Sequence, residues 1–171
     1  MAPVYISARV DYATRALLTL AAAAASDDPR PMTGETVANR QNLPVKFVEN
    51  LLVDLRRAGF VTAQRGATGG YRLARPASEV TVADIIRALE GPLAEIRGER
   101  PEHAHYEGDA VHLQSVWVAV RAALREVLET VTIAAILDGR LPPTITRLVA
   151  DPAAWYAPAW ATPPPPAPTT G

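Results

Sequence analysis

From Ser7 onward, apolar residues recur at three- and four-residue steps, at Ala13, Leu17, Leu20 and Ala24, and so fall on one stripe of an α-helix. Ser7 offers a hydroxyl cap at its start, and Asp27-Asp28-Pro29 ends it. Thr33 offers a second cap and Glu35 favours the positive helix end, which predicts a short helix to about Gln41. After a turn at Asn42-Leu43, Pro44 suits the first position of a third helix. Phe47, Val48, Leu51, Leu52 and Leu55 form its apolar face, and Gly59 stops it with positive φ. The period then changes. Phe60–Ala63 and Tyr71–Ala74 read as two short strands, joined through the glycine-rich turn Arg65-Gly66-Ala67-Thr68-Gly69-Gly70 into a hairpin. Thr81 and Asp84 pair as a capping box for a fourth helix with Ile85, Ile86 and Leu89 inward, closed by Gly91-Pro92.

Beyond that point the pattern loosens. Residues from Leu93 to about Asp109 are polar, charged and irregular. A long helix is predicted from about Ala110 to Val131, with Val116, Val120, Leu124, Val127, Leu128 and Val131 on one side. That stripe needs a partner. Thr132 caps a further turn, Ile133 to Leu137, stopped at Gly139, and the Pro- and Ala-rich sequence after Asp151 is expected to be extended or disordered. The resulting division is residues 1–91, a loop at 92–110, a helical region at 111–150 and a tail at 151–171. The fold class is mainly α with one small β-hairpin.

Three helices, the second and third joined by a very short turn, followed by a glycine-tipped hairpin, describe a winged helix-turn-helix head. Its third helix presents Val45, Lys46, Glu49 and Asn50 near the start, while Phe47, Leu51 and Leu55 are expected to hold it to the core. Each exposed type has a use on duplex DNA. Lysine donates to guanine or phosphate, asparagine pairs with adenine N6 and N7, and a carboxylate accepts from cytosine N4. Arg65 and Arg72 flank the hairpin tip, where a wing reaches phosphates or a narrow minor groove, and Arg56 and Arg57 lie at the end of the third helix. The rival reading is a winged-helix module for protein contacts without DNA readout. It predicts an apolar or acidic third helix and no arginines around the wing, so the sequence favours DNA.

Charge changes the picture modestly. Residues 1–75 hold ten Lys/Arg against six Asp/Glu, and residues 76–171 hold seven against twelve, so a net charge of −1 hides a basic first half. The absence of cysteine excludes disulfides, thiolate nucleophiles and thiolate-held metals or clusters. Enzyme motifs are also missing: there is no G-x-S-x-G elbow, and Gly66-x-x-Gly69-Gly70 lacks the Lys-Ser/Thr of a phosphate loop. Ala16 to Ala25 is half the length of a membrane span, and no secretory pattern is evident, which leads to the expectation of a cytoplasmic protein with no membrane partner.

The chain resembles the Rrf-two family of bacterial transcriptional regulators. The residues that carry the resemblance are Asp11-Tyr12-Ala13 with Leu17, Leu43 to Leu51, Leu55 to Val61, Arg65 to Ala74, Val80 to Glu90, and the long helix near Trp117, covering about residues 5–140. It implies a homodimer whose long helix crosses its partner's, palindromic operator DNA, base contacts at Lys46, Glu49 and Asn50, and a minor-groove arginine at Arg65. It also implies a sensor loop. Many members hold an iron–sulfur cluster there on three cysteines, at roughly Leu93–Val111 of this chain, where no cysteine exists. A cysteine-ligated cluster is therefore excluded.

The loop region instead contains or adjoins every histidine of the chain, His103, His105 and His112, with Glu102, Glu107 and Asp109 interleaved. Imidazole and carboxylate suit a transition metal, while the plainer reading is an acidic exposed loop. An organic ligand or a protein partner near Trp117 is a further option for the signal, and Trp155, Tyr156 and Trp160 beside the proline run suit a docking segment.

Overall fold

The computed structural model describes residues 6–156. Helix α1, Ala8–Ala24, starts where the Ser7 hydroxyl accepts from the Val10 N–H, and it buries Val10, Ala13, Ala16, Leu17, Leu20 and Ala21. Its alanines leave room for neighbours on several sides, and it packs against α2 (Gly34–Gln41), α3 (Val45–Arg57), α4 (Val82–Glu90) and α6 (Ile133–Leu137). Thr33 caps α2, and Asn42 in left-handed geometry (φ 53°) ends it, so α3 begins three residues later. Pro44 occupies the N-cap position, one place earlier than the sequence suggests; its extended ψ of 119° turns the chain into the helix and its missing N–H costs nothing there.

The apolar face of α3 is Val48, Leu51, Leu52 and Leu55, all buried. Phe47 is not part of it. At 41% exposure it lies on the surface, edge-on to Tyr12 with ring centroids 5.3 Å apart, because the helical turn carries position 47 past the edge of the buried stripe. Gly59 (φ +79°) closes α3, and the Phe60 N–H donates to the Leu55 carbonyl, which buries the Phe60 ring under the wing.

The wing consists of β1 (Val61–Gln64) and β2 (Gly70–Leu73), antiparallel, with Val61 opposite Leu73 and Gln64 opposite Gly70. Both strands sit one residue from the predicted spans, although the Ala74 N–H still donates to the Phe60 carbonyl at 2.9 Å just beyond the ladder. Met32 adds an isolated bridge to Tyr71 through two hydrogen bonds of 2.8 and 2.9 Å, so the wing is fastened to the α1–α2 connection. The capping box at the head of α4 forms as predicted, with Thr81 and Asp84 each taking the other's backbone N–H.

The long helix is shorter than its apolar pattern. α5 runs Leu113–Leu128, preceded by 3-10 turns at Pro101–His103 and Gly108–Ala110, and none of its residues is buried. Val131 leaves the helix because the chain there pairs with the start of α4: the Val82 N–H donates to the Val131 carbonyl, and Ile133 N–H donates to Val80. Ile133 then enters the head core, fully buried. The helical region at 111–150 is thus three helices, of which α6 packs on α1, and α7 (Pro143–Val149) is one the sequence pattern did not show. The stretch expected to be extended begins with a 3-10 turn at Pro152–Trp155, where the Trp155 indole donates to the Val149 carbonyl at 2.8 Å. Trp160 and the proline run lie outside the described residues.

Candidate nucleic-acid interface

The first two turns of α3 place Lys46, Glu49 and Asn50 on the solvent side, opposite the buried leucines. Gly34 decides how closely this helix approaches α2: a Cβ there would meet the Glu49 Cγ at 3.1 Å, so the glycine lets the two helices close and sets Glu49 in place. Lys46 and Glu49 form an exposed ion pair at 3.6 Å, one turn apart. Its net contribution to stability is small, so either group is free to exchange its partner for a base or phosphate.

Arg65 sits at the tip of the wing and Arg56 at the end of α3, both exposed and neither paired with a carboxylate among the described residues. Arg57 reaches Asp54 at 3.5 Å, and Asp54 also holds Arg9 at 2.8 Å. Arg72 stretches across the hairpin to the Gln64 amide at 3.4 Å. The structure therefore brings Lys46, Glu49 and Asn50 together on one helix face and places Arg65 and Arg72 on the adjacent wing.

Two features escaped the sequence reading. Phe47, exposed beside Lys46, forms with Tyr12 and the Arg15 guanidinium 5.8 Å above the Tyr12 ring an aromatic and cationic ridge next to the recognition residues. The cleft between the wing and the α1–α2 connection is lined by Arg30, Arg40, Arg72, Asp28, Thr33 and Thr36, with Arg30 paired to Asp28 at 2.8 Å. Sequence gave no sign of it, because Arg40 and Arg72 are 32 residues apart and meet only through the Met32–Tyr71 bridge.

The loop ahead of α5 is anchored. Pro101 and Ala104 are buried against α5, and the Gln114 amide donates to the Glu102 carbonyl at 3.0 Å. Arg121 pairs with Glu102, and Glu129 is shared by Arg87 of α4 and Arg125 of α5, the latter at 3.0 Å. The Arg121 hydrogen bond holds the Glu102 carboxyl below the usual glutamate range, and the Arg125 and Arg87 hydrogen bonds do the same for Glu129. Glu129 in turn raises Arg125.

The histidines do not converge. His105 lies 3.6 Å from Glu107, both largely exposed, and among the described residues no group of three or more histidine or carboxylate side chains is placed to hold a metal. His103 ends the first 3-10 turn, His105 lies between the two turns and His112 directly precedes α5, so the three residues of the suggested site fall on separate segments.

Helix-turn-helix, hairpin wing and exposed basic face together define a winged helix-turn-helix DNA-binding protein. The profile of the Rrf2 (Rrf-two) family, characterised as an iron-dependent transcriptional regulator, matches residues 6–139. The chain belongs to this family. It is 38% identical over 146 residues to a candidate HTH-type transcriptional regulator of Mycobacterium tuberculosis, covering 85% of this chain and 89% of the relative. It is 34% identical over 103 residues to the transcriptional regulator CymR of Bacillus subtilis, covering 60% and 70%. The solved structure of B. subtilis CymR, described as that bacterium's global cysteine regulator, matches with a TM-score of 0.65 at 30% identity over 78% of this chain and 96% of that one. T. potens IscR matches with a TM-score of 0.63 at 32% identity, over 79% and 87%. The chain is a DNA-binding transcriptional regulator and not an enzyme.

The iron of the family description does not fit the residues present. This sequence has no cysteine, no ligand group forms among the described residues, and the remaining residues contain no histidine or acidic side chain. Among the described residues no helix is long and apolar enough to cross a membrane.

Proposed function

We propose that the protein is a homodimeric repressor that covers palindromic operator DNA in the cytoplasm, reading bases with Lys46, Glu49 and Asn50 and holding the backbone with Arg56, Arg65 and Arg72. In this reading residues 1–91 are the DNA-binding head, 92–110 the sensor loop, 111–150 the dimerisation region and 151–171 a tail. The observation that carries it is the exposed α3 face beside a wing whose tip arginine, Arg65, has no carboxylate partner. Support for the dimer comes from α5. Val116 and Val120 are 50% and 40% exposed, and with Ala123 and Val127 they fall within about 60° of one another around the helix. An apolar stripe of this kind is covered by a second helix.

Selection from genomic DNA fragments with the full-length protein tests the reading. A palindromic motif is expected. Arg65→Ala lowers affinity for it by tenfold or more while leaving the dimer intact, and Glu49→Ala relaxes base preference, each base contact being worth roughly 1–3 kcal/mol. No enrichment at low salt would move the protein to the protein-contact reading.

A further inference from the structure

The acidic second half of the chain contains one basic site. Between the end of α4, the loop and α5 lies a cleft of about 410 Å³ lined by Arg87, Arg100, Arg121 and Arg125 with Gly91, Pro92, Leu93, Ala94 and Glu102. Four guanidiniums converge there from three separate segments of the chain. Only two carboxylates answer them: Glu102 on Arg121, and Glu129 shared between Arg87 and Arg125. Arg100 has no carboxylate partner among the described residues. The cleft therefore carries an excess of positive charge on forked donors, the geometry that grips carboxylate or phosphate oxygens in pairs.

Position adds to this. Arg121 and Arg125 lie roughly 140° and 180° around α5 from Val116, on the side away from its exposed apolar stripe. The cleft therefore does not coincide with that stripe. Its walls belong to the head through Arg87 and to the long helix through Arg121 and Arg125, so a ligand gripping both would fix the angle between them.

We infer that this cleft is the effector site, and that it takes a small organic anion bearing two or more carboxylate or phosphate groups. The inference rests on the regulator reading above for its consequence and on the arginine cluster for its chemistry. Anion binding draws Arg87 and Arg100 onto one ligand, sets the head against α5, and so selects one spacing of the two heads over the other.

The test is calorimetric titration of the full-length protein with citrate and, separately, with inorganic pyrophosphate, the preference between them assigning carboxylate or phosphate chemistry. Saturable millimolar or tighter binding of one of them is expected. Arg100→Gln weakens it at least tenfold, and Arg100→Gln with Arg121→Gln abolishes it, whereas Arg65→Ala leaves it unchanged. Arg100 makes no ion pair and sits on the surface, so the single variant keeps the fold. The bound anion shifts operator affinity of the wild type severalfold and leaves that of Arg100→Gln unmoved. Absence of saturable binding to either anion, or binding lost in Arg65→Ala and retained in Arg100→Gln, overturns the site. Binding without any change in operator affinity overturns its role as effector. Operator binding measured without anion reads the regulator proposal independently, so failure there is distinguishable from failure of the cleft.

Discussion

Gly70 occupies a wing position where the backbone of another segment arrives too closely for a Cβ. Its φ of +150° falls outside what L side chains ordinarily adopt, and a Cβ there would lie 2.6 Å from both the carbonyl carbon and oxygen of Met32. Gly70→Ala must push Met32 away and break the two hydrogen bonds that tie it to Tyr71. The expected cost is about 1–3 kcal/mol. A thermal melt shows the loss, and accelerated amide exchange at Tyr71 shows that it begins at the wing; an unchanged Tyr71 amide would refute the account. At the same scale, Lys46 and Glu49 illustrate a pair that serves contact more than stability, since both are exposed and one turn apart.

Among the elements, α5 is the one whose sequence and surroundings disagree. A helix of sixteen residues with an apolar stripe but no buried residue leaves that stripe unpacked among the described residues. Val116→Glu with Val120→Glu places charge on that stripe without touching the head core. Sedimentation is expected to show a monomer with an unchanged helical spectrum and weaker operator binding. A dimer that persists would mean that α5 is not the seam. α3 shows the opposite case, its four buried side chains accounting for its place and leaving the other face free.

For the molecule as a whole, the head and α5 are joined by the Arg87–Glu129–Arg125 tie, and the loop is held to α5 by Arg121–Glu102. Both carboxyls are held below the usual glutamate range in the folded protein. Their contribution is thus fully present above the unfolded glutamate pKa and is lost as pH falls through the folded value. The tie is in place at neutral pH and loosens only in acid. A carboxyl-carbon NMR titration checks this: Glu102 and Glu129 titrate below the usual range, and Arg125→Ala moves Glu129 back towards it. Midpoints at the usual value would remove the tie.

Capped, amphipathic helices and a glycine-tipped hairpin were legible in the chain because their signals are local: Ser7, Thr33, Thr81 and Thr132 each cap the helix they precede. The exposed face of α3, with Lys46, Glu49 and Asn50, was legible for the same reason, as the complement of one apolar period. What only tertiary structure decided depends on contacts between distant segments. Phe47 lies at the edge of the α3 stripe and settles on Tyr12 instead of in the core, and Val131 leaves the long helix because pairing with the start of α4 competes for its backbone. The loop that carries His103 and His105 is held through buried Pro101 and Ala104, contacts that no local pattern records. The four arginines of the cleft span residues 87 to 125, and no period in a sequence records that three segments turn their charges toward one space.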